Sequence, residues 1–113
     1  MERRKSRRKK INFDDFPLYA EFFSGIEEHF FGHVQNISPN GLCIVLLNCK
    51  ISTLPNTKGH LHLIFRGKTR SIISIVKWID TPNHFVRYVG LEVDPKHLEP
   101  VLKEFFPDIN NTF

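Results

Sequence analysis

The sequence lacks most features that would assign it to a special class of protein. It has two cysteines, Cys43 and Cys49, which are too few for a disulfide scaffold, and it has no CxxC spacing. Its longest apolar run, residues 42–47, is far too short to span a membrane, and no apolar segment follows the basic N-terminus as a secretory signal would require. We therefore expect the 113 residues to form one cytoplasmic domain with reduced thiols.

Recognisable catalytic and metal-binding patterns are also missing. Ser38 has no GxSxG context, and no glycine-rich phosphate loop occurs. His29 with His33, and His60 with His62, could share one face of a strand, but no acidic or thiolate ligand accompanies them at a recognisable spacing. We expect no catalytic residue, no metal and no cofactor, and so a binding protein and not an enzyme.

Positive charge is concentrated at the N-terminus. Residues 1–10 carry seven of the sixteen Lys and Arg against one acid and are therefore +6, whereas residues 11–113 carry nine bases and eleven acids and are −2. A segment that repels itself in this way does not fold without an acidic or phosphate partner. Residues 1–12 are expected to form a flexible basic arm.

Short segments rich in β-branched and aromatic residues follow the arm and are separated by turn residues. The expected strands are residues 18–23, 29–37, 42–47, 60–65, 69–80 and 85–93. Their spacing predicts a small antiparallel barrel or sandwich over residues 13–94, with "LCIVLL" buried on both faces.

A helix and a tail are expected over residues 95–113. Asp94 can cap the helix and Pro95 suits its first position, because proline lacks only an N–H that would be unpaired there. Pro100 predicts a kink or a division into two pieces. An apolar stripe should pack on the barrel; its members are Leu98, Val101, Leu102, Phe105 and Phe106.

Two short motifs resemble the paired signature of PilZ domains. "ERRKSRRK", residues 2–9, contains RxxxR, and "NISPNG", residues 36–41, matches [D/N]xSxxG. "VGLEV", where the family tends to read VGVxF, and the C-terminal helix extend the similarity over nearly the whole chain. The resemblance implies a six-stranded antiparallel β-barrel with a short C-terminal helix, which binds the bacterial second messenger cyclic di-GMP.

The resemblance also implies the ligand-binding residues, which are Arg3, Arg4, Arg8, Asn36, Ser38 and Gly41. An arginine fork matches guanine O6 and N7, stacks on a base or binds phosphate. Asn36 and Ser38 can hydrogen-bond guanine, and Gly41 permits a positive φ and close approach of the ligand. The mobile arm would close over the ligand. Asn36 lacks the charge of the commoner Asp, and the arm offers two registers, Arg3/Arg7 and Arg4/Arg8.

The ligand-bound chain would act on an unidentified downstream protein in motility, pili, exopolysaccharide synthesis or virulence, as a monomer or weak homodimer. One alternative is a small barrel that binds single-stranded nucleic acid. We do not expect it, because the basic residues lie in one tail and are not interleaved with aromatic residues on strands. The other alternative is a PilZ-like adaptor that has lost ligand binding.

Overall fold

The computed structural model describes residues 9–10, 17–25, 28–49, 51 and 53–107. The elements are β1 (Lys9–Lys10), β2 (Leu18–Ser24), β3 (Glu28–Ser38), β4 (Gly41–Leu47), β5 (Lys58–Phe65), β6 (Lys68–Asp80), β7 (Val86–Val93) and α1 (Pro95–Phe105). Each of the six strands β2 to β7 ends within two residues of its expected bounds. The sequence did not predict β1.

Strands β2 to β7 close into a barrel. Neighbouring strands follow the order β3-β2-β5-β6-β7-β4, and pairing of β4 with β3 completes the circle. Every neighbouring pair is antiparallel. The prediction of a six-stranded antiparallel barrel with a C-terminal helix is confirmed.

The barrel core follows from the alternation of side chains along each strand. In β4, Leu42, Ile44 and Leu46 lie in the core cluster, while the intervening Cys43 and Val45 face outward and are nevertheless buried. The predicted burial of "LCIVLL" on both faces is confirmed for residues 42–46, whereas Leu47 at the end of the strand is 60% exposed. Aromatic packing adds to the core, because the rings of Phe22 and Phe30 stack with centroids 5.0 Å apart.

Helix α1 covers the barrel with its apolar stripe. The Asp94 side chain accepts a hydrogen bond from the Lys96 N–H at 2.9 Å, which confirms the predicted N-cap. The five members of the predicted stripe are all buried. Pro100 lies inside one continuous helix, so the two-piece alternative is wrong. Proline removes one hydrogen bond there, and packing of the neighbouring turns on the core holds the helix together.

The two described residues of the N-terminal arm extend the sheet. Lys9 lies opposite Ile37 and Lys10 lies opposite Asn36, in antiparallel register. Because β4 already pairs with these β3 residues on one edge, β1 occupies the other edge, which β2 uses further along β3. Residues 1–8 and 11–12 of the predicted arm, and residues 108–113 of the predicted tail, lie outside the described residues.

Candidate functional site

The "NISPNG" segment forms the hairpin between β3 and β4. Ser38 pairs with Gly41, and Pro39 and Asn40 form the turn between them. The Ser38 hydroxyl donates to Asn40 Oδ1 at 3.1 Å, with the Gly41 carbonyl oxygen at 3.4 Å as a second acceptor. Ser38 is only 2% exposed, so its hydroxyl stabilises the turn in this conformation. The backbone of the turn is also held by β7, because the Val93 N–H donates to the Asn40 carbonyl at 3.0 Å.

Gly41 adopts an extended conformation. In the described part of the chain the glycines with positive φ are Gly25 and Gly67, so Gly41 does not adopt the positive φ that a glycine permits. The physical reason is that the two turn residues complete the reversal before Gly41, which already pairs with Ser38 on one side and Glu92 on the other. A positive φ therefore does not explain the glycine at this position, and the absence of a Cβ, which permits close approach of a ligand, is the reason that remains.

Two β-bulges mark one row of the barrel. The register of β3 against β4 shifts between Val34 and Asn36, and the register of β6 against β7 shifts between Val76 and Trp78. A single row of paired residues joins the two bulges across β3, β4, β7 and β6, namely Asn36, Cys43, Gly90 and Trp78. Bulges often lie beside functional sites because the extra residue re-aims a side chain. Here the extra residues are Gln35 and Lys77.

This row lies on the outer face of the barrel. Ile37, Leu42 and Leu91 are in the core, so alternation places Asn36, Cys43 and Gly90 outside. The next outward row contains Ser38, Gly41, Glu92 and Ile75. The structure therefore brings the three sequence-predicted turn residues together in two adjacent rows of one face.

Trp78 lies flat against Gly90 in the first row. A Cβ built on Gly90 would be 2.1 Å from Trp78 Cε2 and 2.2 Å from Nε1, so only glycine leaves room for the indole. Trp78 remains 39% exposed. Sequence reasoning did not select Trp78 for the site. No signal in the sequence indicated it, because Val76-Lys77-Trp78 follows ordinary apolar–polar alternation, which places Trp78 on the same face as the buried Val76.

Glu92, which pairs with Gly41, lies between two recesses of the described surface. A small one of about 90 Å³ is lined by Asn40, Lys77, Trp78, Gly90, Leu91 and Glu92. A larger, open groove of about 540 Å³ lies at the N-terminal end of α1, and Lys58, Glu92 and His97 contribute to it. Its volume is in the ordinary range for small-molecule sites. Glu92 lines both recesses.

One histidine beside the site, His33, has a lowered pKa. His33 lies on β3 opposite Val45, one row from Asn36 on the same face. Partial burial lowers the pKa of His33 below its ordinary 6.5, because desolvation disfavours the charged imidazolium. The neutral ring is therefore favoured at this border of the site.

The predicted arm residues Arg3, Arg4 and Arg8 lie outside the described residues. Within the described ranges, no group of three or more His, Cys, Asp or Glu could hold a metal ion. Among the described residues, no helix has the length and apolar character that a membrane span requires.

Comparison with solved structures identifies the fold, whereas comparison of sequences finds no match. No protein-family model and no curated protein matches the sequence. Among solved structures, the PilZ domain of YcgR from Escherichia coli with c-di-GMP is similar with a TM-score of 0.72 and 10% identity, covering 94% of this chain and 91% of that one. The MrkH–c-di-GMP complex from K. pneumonia has a TM-score of 0.72 and 12% identity, with 96% and 54% covered.

The Bacillus subtilis inhibitor of motility MotI/DgrA is also similar, with a TM-score of 0.60 and 20% identity over 96% of this chain and 54% of that one. The chain thus spans about half the length of the MrkH and MotI/DgrA structures. At these identities the likeness establishes the fold. The closed barrel, the C-terminal helix and these three structures together show that the chain has the fold of a PilZ domain.

Proposed function

We propose that this chain is a bacterial, cytoplasmic PilZ-type receptor, which binds cyclic di-GMP on the outer face of its barrel and closes the N-terminal arm over the ligand. The observation that carries the proposal is the pairing of β1 with β3. Lys10 lies opposite Asn36 and Lys9 opposite Ile37, so the two residues that directly follow RxxxR in the sequence pair with the segment that contains NxSxxG.

Arg8 directly precedes Lys9 in the sequence, and the proposal assigns it, with Arg4, to the ligand.

The chemistry of the face suits cyclic di-GMP, which has two guanines and two phosphates. The exposed indole of Trp78 offers a flat surface on which a base can stack. Arginine matches guanine O6 and N7 or binds phosphate. Asn36 offers an amide, while Ser38 contributes through the turn that it stabilises. No covalent chemistry is required of these residues, which supports a receptor and not an enzyme.

A receptor of this kind needs a partner to produce an output. In the proposed mechanism the closed arm and the ligand form a composite surface, which an unidentified downstream protein recognises. The similar structures include an inhibitor of motility and a c-di-GMP-dependent transcription regulatory factor, so the same fold serves more than one output. We propose a monomer or weak homodimer as the active unit.

Calorimetry with three ligands tests the proposal. We expect cyclic di-GMP to bind far more tightly than cyclic di-AMP, because adenine presents an amino donor where guanine presents O6. A single-stranded oligonucleotide should bind weakly. Tight oligonucleotide binding with a steep dependence on salt would instead favour the nucleic-acid alternative. Absence of binding to any of the three would favour the adaptor that has lost its ligand.

Arg8→Ala tests the arm, and Arg7→Ala is its matched control. Both variants remove one positive charge from the same segment. If Arg4 and Arg8 hold the ligand, Arg8→Ala should weaken binding by about 1–3 kcal/mol, the range for hydrogen bonds to charged groups, while Arg7→Ala changes it much less. The opposite result would select the Arg3/Arg7 register. Equal small effects would mean that the arm acts only as diffuse positive charge.

A further inference from the structure

Glu92 is an unpaired carboxylate on the outer face of the barrel. It lies opposite Gly41 on β4 and opposite Ile75 on β6. Its side chain is exposed and lines both recesses. Over the described parts of the chain, Glu92 has no ion pair and no side-chain hydrogen bond. An exposed glutamate with these properties is available to a ligand at the turn.

Two of the described neighbours of Glu92 are glycines. Gly41, which lies opposite it on β4, has no side chain. Gly90 lies two residues along β7 on the same face, about 7 Å away at the ordinary rise of a strand, and carries the Trp78 indole. A base stacked on Trp78 can therefore present its edge toward Glu92 within the recess that both residues line.

The carboxylate is chemically suited to guanine. The Watson–Crick edge of guanine carries two adjacent donors, N1–H and the N2 amino group, and the two oxygens of a carboxylate can accept both. Adenine presents the lone pair of its N1 at the same position, which the carboxylate repels. The Asn36 amide has one acceptor oxygen, and its own amino group would oppose the second guanine donor.

We propose that Glu92 reads the guanine edge of the ligand and supplies the negative charge that Asn36 lacks. This inference rests on the proposed binding of cyclic di-GMP. It assigns discrimination between guanine and adenine to Glu92 and stacking to Trp78. Lys77 lines the same recess, so a basic group is also present for a phosphate.

The test compares Glu92→Gln with Glu99→Gln. Glu99 is an exposed carboxylate on α1, where it pairs with Lys103 at 2.8 Å, so its variant removes the same charge away from the recess of Trp78. Thermal unfolding first confirms that both variants fold. Calorimetry should then show that Glu92→Gln weakens cyclic di-GMP binding by about 10- to 100-fold, because a charge-assisted pair is lost. Glu99→Gln should bind like the wild type.

Two analogues identify the atoms that are read. Cyclic di-IMP lacks the N2 amino group, so the wild type should bind it more weakly than cyclic di-GMP, and this difference should shrink in Glu92→Gln. Cyclic di-AMP should not bind more weakly to the variant than to the wild type. An equal loss for cyclic di-GMP and cyclic di-AMP would overturn the inference, since it would mean that Glu92 serves an arm arginine. Unchanged cyclic di-GMP binding by Glu92→Gln would also overturn it, with the proposed function intact. A wild type that binds no cyclic di-GMP would refute the proposed function itself.

Discussion

Gly90→Ala should destabilise the barrel because of a single neighbour. Inside a strand, alanine is ordinarily preferred over glycine by roughly 0.5–1 kcal/mol. At this position, however, a Cβ would lie 2.1 to 2.6 Å from three atoms of the Trp78 side chain. These distances are far inside van der Waals contact, so the indole must leave its place. The sign of the substitution therefore depends on what the displacement costs.

The burial of Trp78 sets the magnitude. Trp78 is 39% exposed, so about six tenths of it is covered. A tryptophan can bury up to about 250 Å², which gives roughly 150 Å² here. At about 25 cal/mol per Å², complete loss of this contact would cost roughly 4 kcal/mol. A rotated indole keeps part of its contact, and alanine recovers part of the cost. We expect a net loss of about 1–2 kcal/mol in the free energy of unfolding.

A double-mutant cycle in urea isolates the cause. Without the indole the obstacle is absent, so Gly90→Ala in a Trp78→Ala background should be neutral or stabilising by about 0.5 kcal/mol. Trp78 is the one tryptophan of the chain, so its fluorescence reports the displacement directly and should shift to the red in Gly90→Ala. An equal cost of Gly90→Ala in both backgrounds would refute the steric reasoning, as would an unchanged emission spectrum.

Three further predictions concern stability. Ser74→Ala should raise the free energy of unfolding in urea by about 1 kcal/mol, because the buried Ser74 hydroxyl has no hydrogen-bond partner among the described residues; a loss of stability would mean that the hydroxyl is satisfied. Asp94→Ala should lower it by about 1 kcal/mol through loss of the α1 cap, while Asp94→Asn, which can still accept the hydrogen bond, should lower it less. Burial lowers the pKa of His33 below 6.5 in the folded chain. As the pH falls from 6.5, the unfolded chain therefore takes up the proton before the folded chain does, and the free energy of unfolding decreases until the pH reaches the lower folded pKa. His33→Gln should reduce that loss in urea titrations across this interval, and an identical pH dependence would contradict the assignment.

The barrel could be predicted because its signals are local. Alternation of apolar and polar residues, turn residues between the strands and the Asp94–Pro95 cap each act within a few residues, and the six barrel strands follow them. One error at a single residue has a different origin. The break predicted at Pro100 is absent because it depends on a tertiary contact, namely packing of α1 on the core.

The site was less accessible to sequence reasoning. The turn motif indicated where Asn36, Ser38 and Gly41 meet, but Trp78 and Glu92 join them only through the register of β4, β7 and β6. Register across strands depends on contacts between distant residues, and the bulges at Gln35 and Lys77 shift it further. Two lysines carry no strand signal, so β1 could not be foreseen. Its pairing depends on the part of the β3 edge that β2 leaves unoccupied.

The bulge in β3 has a consequence for how such a site can diverge during evolution. In a regular strand, two residues that face the core are separated by one residue, but Val34 and Ile37 are separated by two. The bulge accommodates the extra residue, Gln35, so that both still face the core. Deletion of Gln35 would leave a regular strand with the same interior residues. Position 35 is therefore a place where a one-residue insertion or deletion alters the outer surface beside Asn36 and spares the interior. Descendants of this chain could gain or lose recognition there without first losing the ability to fold.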